Sequence, residues 1–180
     1  MKHALIAVFC LFGTSALADC PAAPDHSDAI DALLAKIREA PNEMAAQGLS
    51  NEIWALLTEA PDEAAQELLD KGMRARGSYD LLGARNAFDR LVDYCPDYAE
   101  GYNQRAFVNF IAEDYAAALP DLDAALDLTP NHVPALTGKA LTLMGLGRDD
   151  EAQKVLRAAV ALNPWLGERH LLEEPPGQEL

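Results

Sequence analysis

The side chains of this chain that could do chemistry are few, and two cysteines are the most informative of them. Cys20 and Cys95 lie far apart in the sequence, whereas Cys10 falls in an apolar N-terminal segment. If that segment is removed, two thiols remain, and in an oxidising compartment such a pair usually forms a disulfide. We therefore expect a bridge between Cys20 and Cys95. The alternative is two free thiols, one exposed in a mobile arm and the other packed.

Residues 1–18 have the features of a secretory signal. A short basic start precedes the apolar run 4–12, and Ala16 and Ala18 are small residues at the positions that signal peptidase reads. The run is too short to span a bilayer as an anchor. We therefore expect cleavage after Ala18, a soluble mature protein without a stable membrane anchor, and the bacterial periplasm as its location.

The remaining candidates for catalysis or metal binding are scattered along the chain. His26, His132 and His170 lie far apart, and the sequence contains no HExxH motif, no zinc-type spacing of cysteine and histidine, and no glycine-rich nucleotide loop. We therefore expect no enzymatic activity, no cofactor and no metal site. His132 and His170 are interpreted as surface residues, one in a turn and the other in a terminal helix.

The chain is strongly acidic, with 29 Asp and Glu residues against 14 Lys and Arg residues and a formal net charge of −15. Such a surface is repelled by phosphate backbones and by anionic lipid headgroups, and it also favours solubility. Nucleic acids and membrane surfaces are therefore poor partners. We expect the partner to be a protein or a peptide.

The elements that position these residues follow a 34-residue period. Prolines recur at this interval near the end of three successive units, at Pro96, Pro130 and Pro164. The units are 65–98, 99–132 and 133–166. A fixed period of this length is typical of a solenoid built from pairs of helices.

Side-chain size also repeats with this period. Positions 8 and 20 of each unit hold small residues, which two antiparallel helices need where their axes come closest. These residues are Gly72, Ala106 and Ala140 at position 8, and Ala84, Ala118 and Ala152 at position 20. The columns therefore predict two packed helices in each unit.

The middle unit carries the clearest resemblance to a known family. Residues 100–106 (EGYNQRA), 114–118 (DYAAA) and 127–131 (DLTPN) are similar to the first-helix opening, the second-helix opening and the closing turn of a tetratricopeptide repeat (TPR). The first unit departs most, because Tyr79 stands at a turn position where the third unit has Gly147. The resemblance implies an all-α, right-handed superhelical solenoid of antiparallel helix pairs that serves as a protein-interaction scaffold.

Further segments flank the three repeats. Residues 19–27 are proline-rich and predict an extended arm, and residues 28–60 predict a helical hairpin, either a degenerate repeat or an N-terminal cap. After the third repeat, residues 167–180 predict a short capping helix and a frayed tail.

The resemblance implies a concave groove lined by the first helices of the repeats. Mapping the family's groove positions onto this sequence gives the candidate partner-binding residues Leu69, Met73, Arg76, Asn103, Phe107, Phe110, Thr137, Leu141 and Met144. Most are apolar, and an exposed apolar stripe marks a binding surface. We therefore expect a scaffold or adaptor that holds a peptide or helix of an envelope protein.

Two alternatives and one exclusion accompany this expectation. The stripe could instead be buried by self-association or by the N-terminal hairpin, as in a structural or assembly protein, and we expect a monomer or a weak homo-oligomer. The TPR domains that clamp chaperone tails use Lys, Arg and Asn at groove positions that here hold Leu69, Met73, Pro134 and Gly138. That clamp is therefore not expected.

A second column, at position 7, holds Lys71, Arg105 and Lys139. Position 7 lies roughly 160–200° around the helix from the groove positions 5 and 9. We expect these side chains to face away from the groove, with their aliphatic stems packed between helices and their charged heads near carboxylates.

Overall fold

The computed structural model describes residues 19–173, which form eight α-helices and one short 3-10 helix and contain no β-strand. The predicted signal 1–18 and the tail from residue 174 lie outside this part. No helix among the described residues is long and apolar enough to cross a bilayer. The expected all-α solenoid is confirmed. Its helices are α1 Ser27–Arg38, α2 Glu43–Leu57, α3 Glu63–Gly77, α4 Leu81–Tyr94, α5 Ala99–Ile111, α6 Tyr115–Leu128, α7 Val133–Gly145 and α8 Asp149–Leu162, followed by the 3-10 helix Gly167–Leu171.

The three predicted repeats are three helix pairs: α3 with α4, α5 with α6, and α7 with α8. Each pair packs closely, and successive pairs stack through α4 on α5 and α6 on α7. The first helices α3, α5 and α7 also lie beside one another. They form the concave face of the solenoid.

The small residues at positions 8 and 20 let the two helices of each repeat pack closely, as their size predicts. Ala84, Ala106, Ala118, Ala140 and Ala152 are fully buried where paired helices meet. At Gly72 an added Cβ would collide with the ring of Phe88. Since only glycine leaves room for this ring, the first repeat buries a large aromatic side chain without separating its helices.

The turn inside each repeat has the same left-handed geometry, whether or not glycine is present. The backbone φ angle is 63° at Tyr79, 59° at Glu113 and 69° at Gly147. In each repeat the following residue donates its N–H to a carbonyl five positions back at 2.9 Å, as at the C-terminus of many helices. The first repeat therefore keeps the family turn although it carries tyrosine.

Two members of the basic column confirm the expectation for position 7. Arg105 Nη2 lies 2.6 Å from Asp121 Oδ1, and Lys139 Nζ lies 2.6 Å from Asp123 Oδ1. Both carboxylates belong to α6. Lys71 is exposed.

The hairpin of α1 and α2 does not continue the solenoid. A degenerate repeat or an N-terminal cap would stack on α3 and α4, but α1 instead approaches α8. The apolar cluster of the hairpin includes Val133 and is covered by Leu162, Trp165 and Leu166, at the far end of the chain. The hairpin therefore crosses the concave face from the first repeat to the third. This position differs from that of a degenerate repeat or cap and is closer to the alternative in which the hairpin covers the apolar stripe.

The segment after the third repeat, where a short capping helix is expected, lies against α8. It forms a short 3-10 helix, Gly167–Leu171, with no buried residue. Trp165 and Leu166, just before it, pack on the hairpin. This segment therefore contacts the hairpin as well as covering the last repeat.

The structure joins Cys20 to Cys95 by a disulfide, with a Cα–Cα distance of 5.2 Å. Cys95 follows the end of α4 and is buried, and Cys20 and Ala23 of the arm pack against the core of the first repeat. The arm that leads into the hairpin is thus fixed at the end of the first repeat.

Reduction of this disulfide is expected to lower the melting temperature by several degrees. A bridge that closes a long loop stabilises by about 2–4 kcal/mol in the chain-entropy model, and each kcal/mol shifts Tm by about 2–4 °C in a domain of this size. Calorimetry with and without reductant measures the shift, and the Cys20→Ser, Cys95→Ser variant should not respond to reductant. Two alkylated thiols per molecule without prior reduction would contradict the bridge.

Candidate functional site

A cavity of about 660 Å³ lies between the hairpin and the concave face. We call this space the central cavity. Its hairpin wall combines the apolar residues Leu34, Ile37, Ile53 and Trp54 with polar residues of α2. Phe107, Phe110 and Leu141 from α5 and α7 line the concave side, and Trp165 and Leu166 also contribute.

Six of the nine predicted groove residues line the central cavity. They are Arg76, Asn103, Phe107, Phe110, Thr137 and Leu141. Leu69, Met73 and Met144 do not line it. Leu69 is 0% exposed and belongs to the core of the first repeat, and Met73 packs against that same core. The side of α3 that carries Leu69 packs against other helices, so Leu69 is not part of the groove surface.

The apolar stripe is neither fully open nor fully covered. Phe107 is 45% exposed although the hairpin crosses the same face. Phe110 is half-buried, and its ring lies 5.5 Å from that of Tyr115. The hairpin thus supplies a second wall and leaves part of the aromatic surface accessible.

Arg76 brings a positive charge into this mostly apolar space. Its Nη1 donates to Gln104 Oε1 at 2.6 Å, and its Cζ lies 4.5 Å from the centre of the Phe107 ring. Burial lowers the pKa of Arg76, and the nearby negative charge of Glu100 partly counteracts this effect. A guanidinium stays protonated in proteins, so Arg76 presents a partly desolvated cation over the face of an aromatic ring.

A buried carboxylate lies beneath Arg76. Glu100 is 1% exposed, and its Oε2 accepts hydrogen bonds from Asn103 Nδ2 at 3.1 Å and His132 Nε2 at 2.9 Å. Gln104 Nε2 donates to the other oxygen, Oε1. Because Gln104 also accepts from Arg76, a continuous chain of polar groups joins the first helices of all three repeats.

The geometry around His132 determines its protonation pattern. His132 precedes α7, and its Nδ1 accepts the backbone N–H of Ala135 at 3.1 Å. A ring whose Nδ1 accepts carries its proton on Nε2, and that proton is donated to Glu100. The interpretation of His132 as a surface residue is therefore wrong, since its side chain is fully buried. His170 is exposed, as expected.

One more polar group faces the central cavity. The Thr142 hydroxyl is buried and has no hydrogen-bond partner among the described residues. The acidic side chains that line the cavity, Glu43 and Glu168, come from the start of α2 and from the 3-10 helix. The cavity thus combines aromatic walls, one internal cation and a hydroxyl that can serve an incoming ligand.

No cluster of His, Cys, Asp or Glu suitable for a metal ion occurs in the part of the chain that the structure describes.

Several residues that line the central cavity were not among the groove residues predicted from the sequence, above all Ile53 and Trp54 of the hairpin and Trp165 after α8. The hydrophobic row of the hairpin was visible in the sequence. Nothing in that row showed that it would lie across the concave face.

Glu100→Gln is expected to lower the free energy of unfolding by about 1–3 kcal/mol, because an amide nitrogen would face groups that need an acceptor. Urea titration followed by circular dichroism measures the loss. Glu67→Gln, an identical change at an exposed position of α3, is the matched control and should have little effect. Equal small losses in both variants would contradict a structural role for the buried carboxylate.

Comparison with known proteins agrees with the repeat architecture. A family model described as tetratricopeptide repeat matches residues 110–164. A TPR repeat-containing protein of Rhizobium etli is 26% identical over 138 residues, covering 75% of this chain and 66% of that protein. Tetratricopeptide repeat protein 36 of Xenopus tropicalis is 31% identical over 116 residues, covering 61% of this chain and 56% of that protein. The chain thus spans less than two thirds of the length of either relative.

Solved structures show the same fold. The TPR domain of Arabidopsis OM64 superposes with a TM-score of 0.59 at 22% identity, covering 61% of this chain and 90% of that domain. The TPR2B domain of yeast Sti1, in complex with pHsp70, superposes with a TM-score of 0.55 at 25% identity, covering 56% of this chain and 81% of that one. The family model over residues 110–164, the relatives named for this repeat and the three stacked helix pairs together support a tetratricopeptide repeat protein.

Proposed function

We propose that this protein is a non-enzymatic interaction scaffold of the bacterial periplasm, and that it binds a short peptide segment of an envelope protein in the central cavity. The TPR fold is a protein-interaction module. The observation that carries the proposal is the central cavity itself, in which aromatic side chains of the concave face and the hairpin surround one cation.

The volume of the cavity suits a short peptide segment. About 660 Å³ falls within the range of roughly 300–1,000 Å³ typical of sites for small ligands. With the hairpin in place, a few residues of a partner fit between the hairpin and the concave face.

The lining residues fit such a segment chemically. Phe107, Leu141 and Trp54 offer apolar contacts to its side chains. Arg76 has further N–H donors for a carbonyl or carboxylate oxygen, and the hydroxyl of Thr142 can pair with a main-chain group. The pHsp70 complex of the Sti1 domain supports a peptide ligand for this fold, although the groove positions of the chaperone clamp hold different residues here.

A structural or assembly role is the second candidate. The observation in its favour is that the hairpin already packs over part of the concave face. In this role the cavity would have no external ligand, and the protein would act through self-association. Light scattering across a range of concentrations separates the two, since the peptide-binding proposal predicts a monomer or a weak homo-oligomer.

Phe107→Ala is expected to weaken peptide binding about fivefold or more, because aromatic residues at the centre of an interface contribute over about 1 kcal/mol each. The probe is a peptide selected from a displayed random library on the oxidised protein. Calorimetry measures its affinity. The chain has two tryptophans, Trp54 and Trp165, and both line the cavity, so their emission reports whether the peptide enters it.

Leu82→Ala is the matched control. Leu82 is a large apolar residue that is 72% exposed and lies away from the central cavity. Its replacement should leave the affinity unchanged. Equal binding by wild type and Phe107→Ala would show that the groove is not the site, and a selection that yields no micromolar binder would contradict the proposal. Capture from periplasmic extract with the same two variants then identifies the natural partner.

The proposed location makes a separate prediction about processing. Expression of the full chain in a Gram-negative host should give a periplasmic protein whose first residue is Asp19, as read by mass spectrometry of the N-terminal peptide. Ala18→Arg should block this cleavage, because signal peptidase needs a small residue there. A cytoplasmic product that keeps residues 1–18 would contradict the periplasmic assignment.

A further inference from the structure

The hairpin is attached to the repeats at two separate places, and the first lies at the end of the first repeat. Cys20, which precedes the hairpin, is bridged to Cys95. Tyr98 Oη donates to the carbonyl of Leu57, the last residue of α2, at 2.8 Å in a buried position. Both chain ends of the hairpin are therefore held by residues 95–98.

The second attachment lies around the third repeat. Leu162, Trp165 and Leu166 pack there on the apolar core of the hairpin, and the polar contacts beside this packing are exposed or long. Asn131 Nδ2 donates to Asp31 Oδ1 at 2.6 Å in an exposed contact, and Asn163 Nδ2 reaches Ser50 Oγ at 3.4 Å. An exposed ion pair joins Arg169 to Glu43 at 3.6 Å. Exposed contacts of this kind contribute little to stability, because water competes for the same groups.

The apolar core of the hairpin is largely its own. All buried members of its cluster except Val133 belong to α1 and α2. Among the helices of residues 19–173, α2 approaches only α1 closely, and the central cavity separates it from the concave face. If the hairpin moved away from the third repeat, its contacts with Val133, Leu162, Trp165 and Leu166 would be lost, whereas the buried residues that α1 and α2 share would stay packed against each other. Segments attached in this way open as local cooperative units.

We propose that the hairpin is a lid on the central cavity, which pivots about residues 95–98 and closes through its contacts with the third repeat. This inference rests on the proposed function, since it concerns access to the same cavity. The closed lid forms one wall of the site around a short segment. Opening gives the segment a way in, and the disulfide keeps the N-terminal end of the lid attached at the pivot during the movement.

Hydrogen exchange with mass spectrometry tests the lid on the oxidised full-length protein without any ligand. Amides of α1 and α2 should exchange roughly tenfold or more faster than those of α5 and α6, because opening of the hairpin does not require unfolding of the repeats. The Asn131→Ala, Arg169→Ala variant removes two closing contacts. It should raise exchange in α1 and α2 severalfold and leave α5 and α6 unchanged.

Arg148→Ala is the matched control, because it also removes an exposed arginine ion pair, with Glu151, but one that does not involve the hairpin. It should change exchange in neither the hairpin nor α5 and α6. Reduction of the disulfide should accelerate exchange in α1 and α2 further. Equal protection of hairpin and repeats, or a contact variant that leaves hairpin exchange at the wild-type rate, would overturn the lid.

The hydrogen-exchange result does not depend on the peptide-binding experiment. If no peptide binds, the exchange rates still decide whether the hairpin opens by itself. If a peptide binds and the lid exists, the Asn131→Ala, Arg169→Ala variant should bind it with a faster association rate. An unchanged association rate would show that hairpin opening does not control access, and would overturn the regulatory role while leaving peptide binding intact.

Discussion

The buried carboxylate of Glu100 is the interaction on which the concave face depends. It lies on α5, accepts a hydrogen bond from His132 at the start of α7, and connects through Gln104 to Arg76 on α3. A carboxylate is tolerated in a protein interior only when its oxygens are satisfied. Since His132 immediately precedes α7, and Gln104 in turn accepts from Arg76 on α3, this network links the first helices of the three repeats. The floor of the central cavity and the position of its cation follow from that arrangement.

The hairpin gives the site its second wall. A hairpin stacked on the first repeat would have left the concave face open, and one pressed fully against it would have left no space for a ligand. Here α1 and α2 bury their apolar residues mainly against each other and touch the third repeat at one edge. The gap that remains is lined by side chains such as Trp54 and Phe107. Because the hairpin is attached only at two places, a cavity remains beneath it, and in the proposed lid movement the hairpin opens this cavity by leaving the third repeat.

Side-chain columns located part of the site from the sequence. Phe107, Phe110 and Leu141 lie on the cavity because their positions determine the side of the helix they occupy. The columns wrongly predicted that Leu69 lies in the groove. It shares position 5 with Asn103 but is buried in the core of the first repeat. A position in a repeat predicts the direction of a side chain. Whether that direction leads to solvent depends on the helices packed around it.

The sequence by itself determined the features that are local or strictly periodic. The three helix pairs, their turns and their close packing follow from residue size and backbone preference within each unit of 34 residues. Only the tertiary structure decided where the hairpin lies and that His132 is buried against Glu100, its partner 32 residues away. Such contacts depend on the shape and charge of surfaces that form only when distant segments meet. Local periodicity carries no information about which surfaces will do so.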